Sequence, residues 1–362
     1  MINLSKFLLT TLLSAGIFGA IGQFPPLTAQ EDTLISPAAK TSTYLTRRST
    51  KLVQEVDTIG ITVSDMDKAI AFYTDALAFT KISDVEVYGE EYEQLLGVFG
   101  VRLRLVRMQL GTETIELIQH VTPQGKPVPI DSRSNDLWFQ HIAIVVSDMD
   151  QAYQKLREFN VTHVSTAPQK LPEYIKAAAG IEAFYFRDPD GNTLELIYFP
   201  PDKGDPRWQK PTDKIFLGID HTAIAVSDTE TSLKFYQDLL GLEVAGSSEN
   251  YGTEQEHLNN VEGARLRITG LKASQGMGVE FLEYLKPDNA RALPPDTSPQ
   301  DLVHWETTLV VKNLNLASRR LIREGYQPIS DKIAKINEQT LGFSKALLVR
   351  DPDGHVLRII EK

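Results

Sequence analysis

A ten-residue block, Val56-Asp57-Thr58-Ile59-Gly60-Ile61-Thr62-Val63-Ser64-Asp65, recurs 163 residues later as Ile219-Asp220-His221-Thr222-Ala223-Ile224-Ala225-Val226-Ser227-Asp228. The same offset aligns Tyr88-Gly89 with Tyr251-Gly252, and Gly100-x-Arg102-Leu103-Arg104 with Gly263-x-Arg265-Leu266-Arg267. It also aligns Arg187-Asp188-Pro189-Asp190-Gly191 with Arg350-Asp351-Pro352-Asp353-Gly354. One spacing held over separated blocks makes the chain two homologous halves, 54–200 and 216–362, and each must build the same structure. Residues 201–215, rich in Pro and charge, read as the linker.

A shorter unit repeats inside each half. His141-Ile142-Ala143-Ile144-Val145-Val146-Ser147-Asp148 matches the block at 58–65, and Glu306-Thr307-Thr308-Leu309-Val310-Val311-Lys312-Asn313 is a fourth, divergent copy. Each copy is a β-branched strand followed by an N-cap candidate (Asp65, Asp148, Asp228 or Asn313) and an amphipathic helical pattern. Strand patterns come next, turning in the even copies through Asp-Pro-Asp-Gly, where Pro presets φ and Gly accepts positive φ. The unit is βαβββ, present at 54–123, 138–200, 216–287 and 303–362, which makes the fold class α+β.

Before these modules, residues 1–29 carry Lys6 as their one charged side chain, then an apolar run and Phe24-Pro25-Pro26-Leu27-Thr28-Ala29. This order reads as a signal peptide, so the expected location is exported, periplasmic or secreted; a retained anchor is the rival reading. Residues 30–53 lack an apolar period and read as a flexible leader. The chain has no cysteine, which excludes disulfides, thiolate metal sites and cysteine nucleophiles. Its net charge of −11 argues against nucleic acid and anionic membranes as partners. A small-molecule substrate is the expected partner, with the protein a monomer or homodimer and, once the signal is removed, off the membrane.

The His-x-x-x-x-Val-Ser-Asp openings at His141 and His221, and Asp188-Pro189-Asp190-Gly191-Asn192 running on to Glu195, resemble the vicinal oxygen chelate superfamily. That group includes glyoxalases, bleomycin-resistance proteins and extradiol dioxygenases. The resemblance covers nearly all of the chain after the leader. It implies paired modules forming two cup-shaped, mixed-sheet barrels, each a place for a divalent metal. It also implies two ligand positions per module, one near the start of the first strand and one on the last. Those positions hold Thr58 and Glu116, His141 and Glu195, His221 and Glu280, and Glu306 and Arg358.

The four modules are therefore unequal. Modules two and three supply His141, Glu195, His221 and Glu280, two imidazoles and two carboxylates suited to one divalent ion, Zn, Ni, Co, Mn or Fe(II). In modules one and four, Arg358 would repel a cation and pair instead with Glu116 or Glu306. Pairing one with two and three with four leaves both sites damaged, with Glu116 as a third ligand in the first half. Pairing two with three leaves one complete site. Either is open, and the segregation of ligands favours the second.

The resemblance implies a lyase or isomerase acting on a small carbonyl or hydroxy compound through an enediolate-like intermediate, with Glu195 or Glu280 as the catalytic base. The alternatives are an extradiol-type Fe(II) dioxygenase and a non-catalytic binder of a small drug or toxin. The other histidines, His120, His163, His257, His304 and His355, are expected at exposed or capping positions. Asn250, Tyr251, Asn259 and Asn260 surround His257 in a segment that could line a pocket but reads first as a surface loop. Arg102, Arg104, Arg265 and Arg267 read as solvated strand faces.

Overall fold

The protein's computed structural model describes residues 51–362, so the signal segment and most of the leader lie outside the described residues. The last leader residues are a correction to the sequence reading. Leu52 is buried, and the Leu52 and Val53 N–H groups both donate to the Leu240 carbonyl.

Module one comprises β1 (Val53–Thr62), α1 (Met66–Asp75), β2 (Thr80–Tyr88), α2 (Glu90–Leu96), β3 (Arg102–Leu110) and β4 (Glu113–Thr122). Module two comprises β5 (Gln140–Val146), α3 (Met149–Glu158), β6 (Thr162–His163), β7 (Gln169–Lys170), β8 (Glu182–Arg187) and β9 (Thr193–Tyr198). Module three comprises β10 (Phe216–Val226), α4 (Thr229–Leu233) running into a π-helical turn, β11 (Glu243–Tyr251), α5 (Thr253–Asn259), β12 (Arg265–Lys272), β13 (Gln275–Gly276) and β14 (Gly278–Lys286). Module four comprises β15 (Trp305–Val311), α6 (Leu314–Arg323), β16 (Ala334–Lys335), β17 (Lys345–Arg350) and β18 (Val356–Glu361). All four N-cap residues do what their chemistry suggests. Asp65, Asp148, Asp228 and Asn313 accept from the backbone N–H of Lys68, Gln151, Thr231 and Leu316.

The strands form two mixed sheets, and each takes its main strands from one module of each half, with the short β13 of module three pairing with β1. One runs β16-β17-β18-β15-β1-β4-β3-β2, the other β11-β12-β14-β10-β5-β9-β8-β6. Module one thus pairs with four through antiparallel β1 and β15, and module two with three through β5 and β10. The 54–200 and 216–362 divisions mark a sequence repeat, while the described residues form one compact unit. Within a half, the two modules meet at turns. Asp190 accepts from the Ser64 backbone N–H and Asp353 from that of Ser227, while Tyr73 and Tyr236 donate to buried Asp188 and Asp351.

Strand alternation divides the side chains cleanly. Ile142, Ile144 and Val146 enter one large core, shared by both sheets and the helices, while Ala143 and Val145 belong to a separate cluster on the concave face. Ligand positions sit on that concave face. Among the described residues no helix is long and apolar enough to cross a membrane.

Candidate metal centre

In the two–three sheet, β10 pairs with β14 so that Ala223 lies opposite Glu280, and with β5 so that Ala223 lies opposite His141. On the far side of β5, Ala143 lies opposite Glu195 of β9. Four adjacent strands therefore bring His141, Glu195, His221 and Glu280 to one floor. His141 Nε2 is 3.0 Å from Glu195 Oε2, and His221 Nε2 is 3.7 Å from the same oxygen and 3.6 Å from Glu280 Oε1. Ligand atoms of His141, Glu195 and His221 all lie within 4.8 Å of one another. Glu280 stands at the edge of this group with a quarter of its side chain exposed, whereas Glu195 is buried between the two imidazoles.

The residues fit a divalent cation on two observations. Buried His141 Nδ1 and His221 Nε2 have no hydrogen-bond partner, and His141 Nε2 has only the Glu195 carboxylate beside it in poor hydrogen-bond geometry, an arrangement that costs free energy unless something else satisfies these atoms. The electrostatics also call for positive charge. Burial opposes a charged His221, but Glu280, Asp220 and Glu195 outweigh it and raise the imidazole to about 10. His141 is held below its ordinary value, first by burial, which Glu195 only partly offsets. Burial, with His221 opposing and Glu195 adding to it, lifts Glu280 to about 7. A divalent ion would supply that charge and accept the free lone pairs.

The sequence reading did not foresee two positioning residues. Asp220 Oδ2 lies 3.0 Å from His221 Nδ1, and Asp220 Oδ1 accepts from Trp208 Nε1 at 2.9 Å. Such a carboxylate fixes the ring and leaves Nε2 as the ligating nitrogen. A register shift between Ile219 and Thr222 is a β-bulge, which lets the neighbouring side chains Asp220 and His221 meet instead of pointing apart. Trp208 belongs to the linker, whose residues Pro206–Gln209 form a 3-10 turn. Arg207 beside it reaches Glu113 at 2.6 Å.

A cavity of about 370 Å³ opens above the floor, lined by Glu195, His221, Glu280 and Asp220 together with Tyr185 and Asn250. The segment around His257 is therefore more than a surface loop. Asn250, Gln255 and Leu258 line the cavity and Asn259 is buried, while His257, Tyr251 and Asn260 are exposed.

The one–four sheet carries the equivalent positions with a different outcome. Arg358 Nη1 donates to Glu116 Oε1 at 2.6 Å and lies 3.4 Å from Glu306 Oε2. Both expected partners of Arg358 are thus engaged, and Glu116 sits in a different sheet from His141 and Glu195, so it cannot be their third ligand. Thr58 accepts from Arg107 and donates to Asp57.

Three of the remaining histidines correct the expectation of exposure. His120 shares the inward face of β4 with Glu116, His304 Nε2 is 3.0 Å from Glu306, and His355 is held by Asp351; all three are buried. His163 is exposed as expected. Arg102, Arg104, Arg265 and Arg267 lie on the outer strand face, paired with Glu86, Asp84, Glu249 and Glu230.

Comparison with known proteins agrees with this geometry. The family model "Glyoxalase/Bleomycin resistance protein/Dioxygenase superfamily" matches residues 55–196 and 218–359. A 2-epi-5-epi-valiolone epimerase from Actinomyces sp is 32% identical over 149 residues, covering 39% of this chain and 78% of that protein. A lactoylglutathione lyase from Arabidopsis thaliana is 25% identical over 182 residues, 50% of this chain and 52% of the lyase. Glyoxalase I from Zea mays superposes with a TM-score of 0.54 at 15% identity, covering 85% of this chain and 92% of that one, a likeness of fold alone.

Proposed function

The chain belongs to the glyoxalase/bleomycin resistance protein/dioxygenase superfamily, and from that premise we propose that it is a divalent-metal-dependent isomerase or lyase that moves a proton beside the carbonyl of a small oxygen-bearing substrate. One observation carries the reading: buried, unpartnered imidazole nitrogens and two carboxylates converge at the base of a cavity. His141, Glu195 and His221 would hold the ion, with Glu280 at its edge. Bound there, the ion supplies Lewis-acid stabilisation of negative charge developing on substrate oxygen.

Of the two candidate bases, geometry favours Glu280. Glu195 is buried between both imidazoles, whereas Glu280 faces the cavity, and its carboxyl near neutrality suits a group that takes and returns a proton. Asp220, anchored by Trp208, keeps the His221 ring fixed while the proton moves. That a relative is an epimerase supports the proton-transfer reading. Two histidines and one carboxylate are also a set that Fe(II) oxygenases use, which makes oxygen chemistry the second reading.

A single experiment separates them. Protein stripped and reloaded with Zn, Co, Mn, Ni or Fe(II) is incubated with α-hydroxy ketones and aldehydes in deuterated buffer, with solvent deuterium uptake followed by NMR and oxygen by electrode. We expect deuterium at the carbon beside the carbonyl, falling about 100-fold or more in Glu280→Gln with metal content unchanged. Oxygen consumption without exchange would replace this reading with the dioxygenase, and binding with neither would replace it with a sequestering protein. Export, as the N-terminal segment suggests, is part of the same proposal and is tested by cell fractionation.

A further inference from the structure

Resting on that proposed activity, we infer that the substrate is an uncharged hydroxylated ketone or aldehyde, and that anionic esters and thiol conjugates are excluded. The charge of the cavity carries this. Among the described residues lining it there is no lysine or arginine, while Glu195, Glu280 and Asp220 contribute carboxylates. Asp220 Oδ2 lies 3.0 Å from His221 Nδ1 and Asp220 Oδ1 accepts from Trp208 Nε1 at 2.9 Å, which fixes this carboxyl group at the cavity wall. A divalent ion would balance two of the three, leaving the cavity without net positive charge to receive a phosphate or carboxylate.

Neighbouring basic groups are directed elsewhere. Arg265 and Arg267 alternate with Leu266 and Ile268 along β12, so the arginines face outward onto Glu249 and Glu230. Lys170 is paired with Glu182, and Lys176 is exposed and does not line the cavity. Sites that bind phosphate or carboxylate ordinarily aim Arg, Lys or a helix N-terminus at it.

What lines the flanks matches hydroxyl groups on one side and carbon on the other. At the β11 flank Ser248 and Asn250 face inward beside Gln255; Asn250 Nδ2 donates to Gln255 Oε1, and the buried Asn250 Oδ1 has no partner. An unpartnered acceptor is satisfied by a hydroxyl donor. At the β9 flank Leu171, Ile181, Ile197 and Phe199 form an apolar wall. A ligand that spans the floor thus presents its hydroxy-carbonyl end to the metal ligands, hydroxyls to β11 and a carbon face to β9.

The test is binding, independent of turnover. Manganese-loaded protein is titrated with D-ribulose and with D-ribulose 5-phosphate at pH 7.5, reading ligand proton relaxation against a zinc-loaded control, with metal content assayed on the same sample. We expect ribulose to bind and its phosphate to bind at least about tenfold more weakly. Ser248→Arg, which adds a cation to the β11 flank, should narrow that gap or reverse it. Equal or tighter binding of the phosphate, or binding of neither sugar by protein that holds its metal, overturns the inference and leaves the metal-dependent reading standing. Failure to hold metal overturns both.

Discussion

The two cups of this molecule share one design and differ in what fills them. Register makes the comparison residue by residue: Thr58, Glu116, Glu306 and Arg358 in the one–four cup stand where His221, Glu280, His141 and Glu195 stand in the two–three cup. Arg107 lies opposite Glu116 as Gly270 lies opposite Glu280. Phe343, its ring under the Arg358 guanidinium, takes the place that Gly180 has by the 163-residue offset. Two arginines and a phenylalanine thus occupy one cup, while Gly246 and Gly270 line the open cavity of the other. On the proposed reading, one fold becomes a site or a strut according to whether cations are built in or admitted from solution. In the filled cup, Glu306 is held below the ordinary carboxylate range; burial works against this, and Arg358 and His304 overcome it.

The largest effect expected from breaking this contrast is Gly270→Arg. Its backbone lies in ordinary extended strand geometry, and the nearest atom to an added Cβ is 4.0 Å away. A guanidinium there would stand beside His221 as Arg107 stands beside Thr58. Metal binding should disappear while circular dichroism and melting remain close to wild type.

Arg358→Met probes the opposite cup. It strands Glu116 and Glu306 as buried carboxylates, so denaturant unfolding should show a loss of about 3–5 kcal/mol with metal stoichiometry unchanged. A loss under about 1 kcal/mol would mean that the guanidinium is not the cation holding the cup together.

A smaller difference lies at the end of β4, where His120 occupies the position that Tyr284 has on β14. Burial, with His304 adding to it, pulls His120 down to about 4, although Glu306 and Asp301 oppose this. The unfolded chain takes up that proton near pH 6.5 and the folded chain only near 4, so its contribution is complete above 6.5 and lost as pH falls toward 4. Melting temperature should fall less steeply across that window in His120→Phe than in wild type. Parallel curves would show that another group controls the acid limb.

Much of this was legible in the chain itself. Period-two alternation puts His141, Glu195, His221 and Glu280 on inward faces, and their confinement to two modules favours the pairing the sheets adopt. The same rule places His120 inward, yet without the structure its strand could end before it. Asp220 was hidden because strict alternation turns it away from His221, and the bulge that reunites them carries no sequence mark. Trp208 was hidden in a linker whose Pro content suggests only a connection. Cavity shape also resisted prediction, since Gly246 and Gly270 matter through side chains they lack, on consecutive strands and opposite each other in space.

The most direct test of the central claim is metal content per chain after stripping and reloading, in wild type, His141→Ala, His221→Ala and Glu306→Gln. One equivalent in wild type and Glu306→Gln, lost in both histidine variants, is the predicted result. Metal retained in either histidine variant, lost in Glu306→Gln, or never held by wild type would contradict the assignment of the ion to the two–three cup.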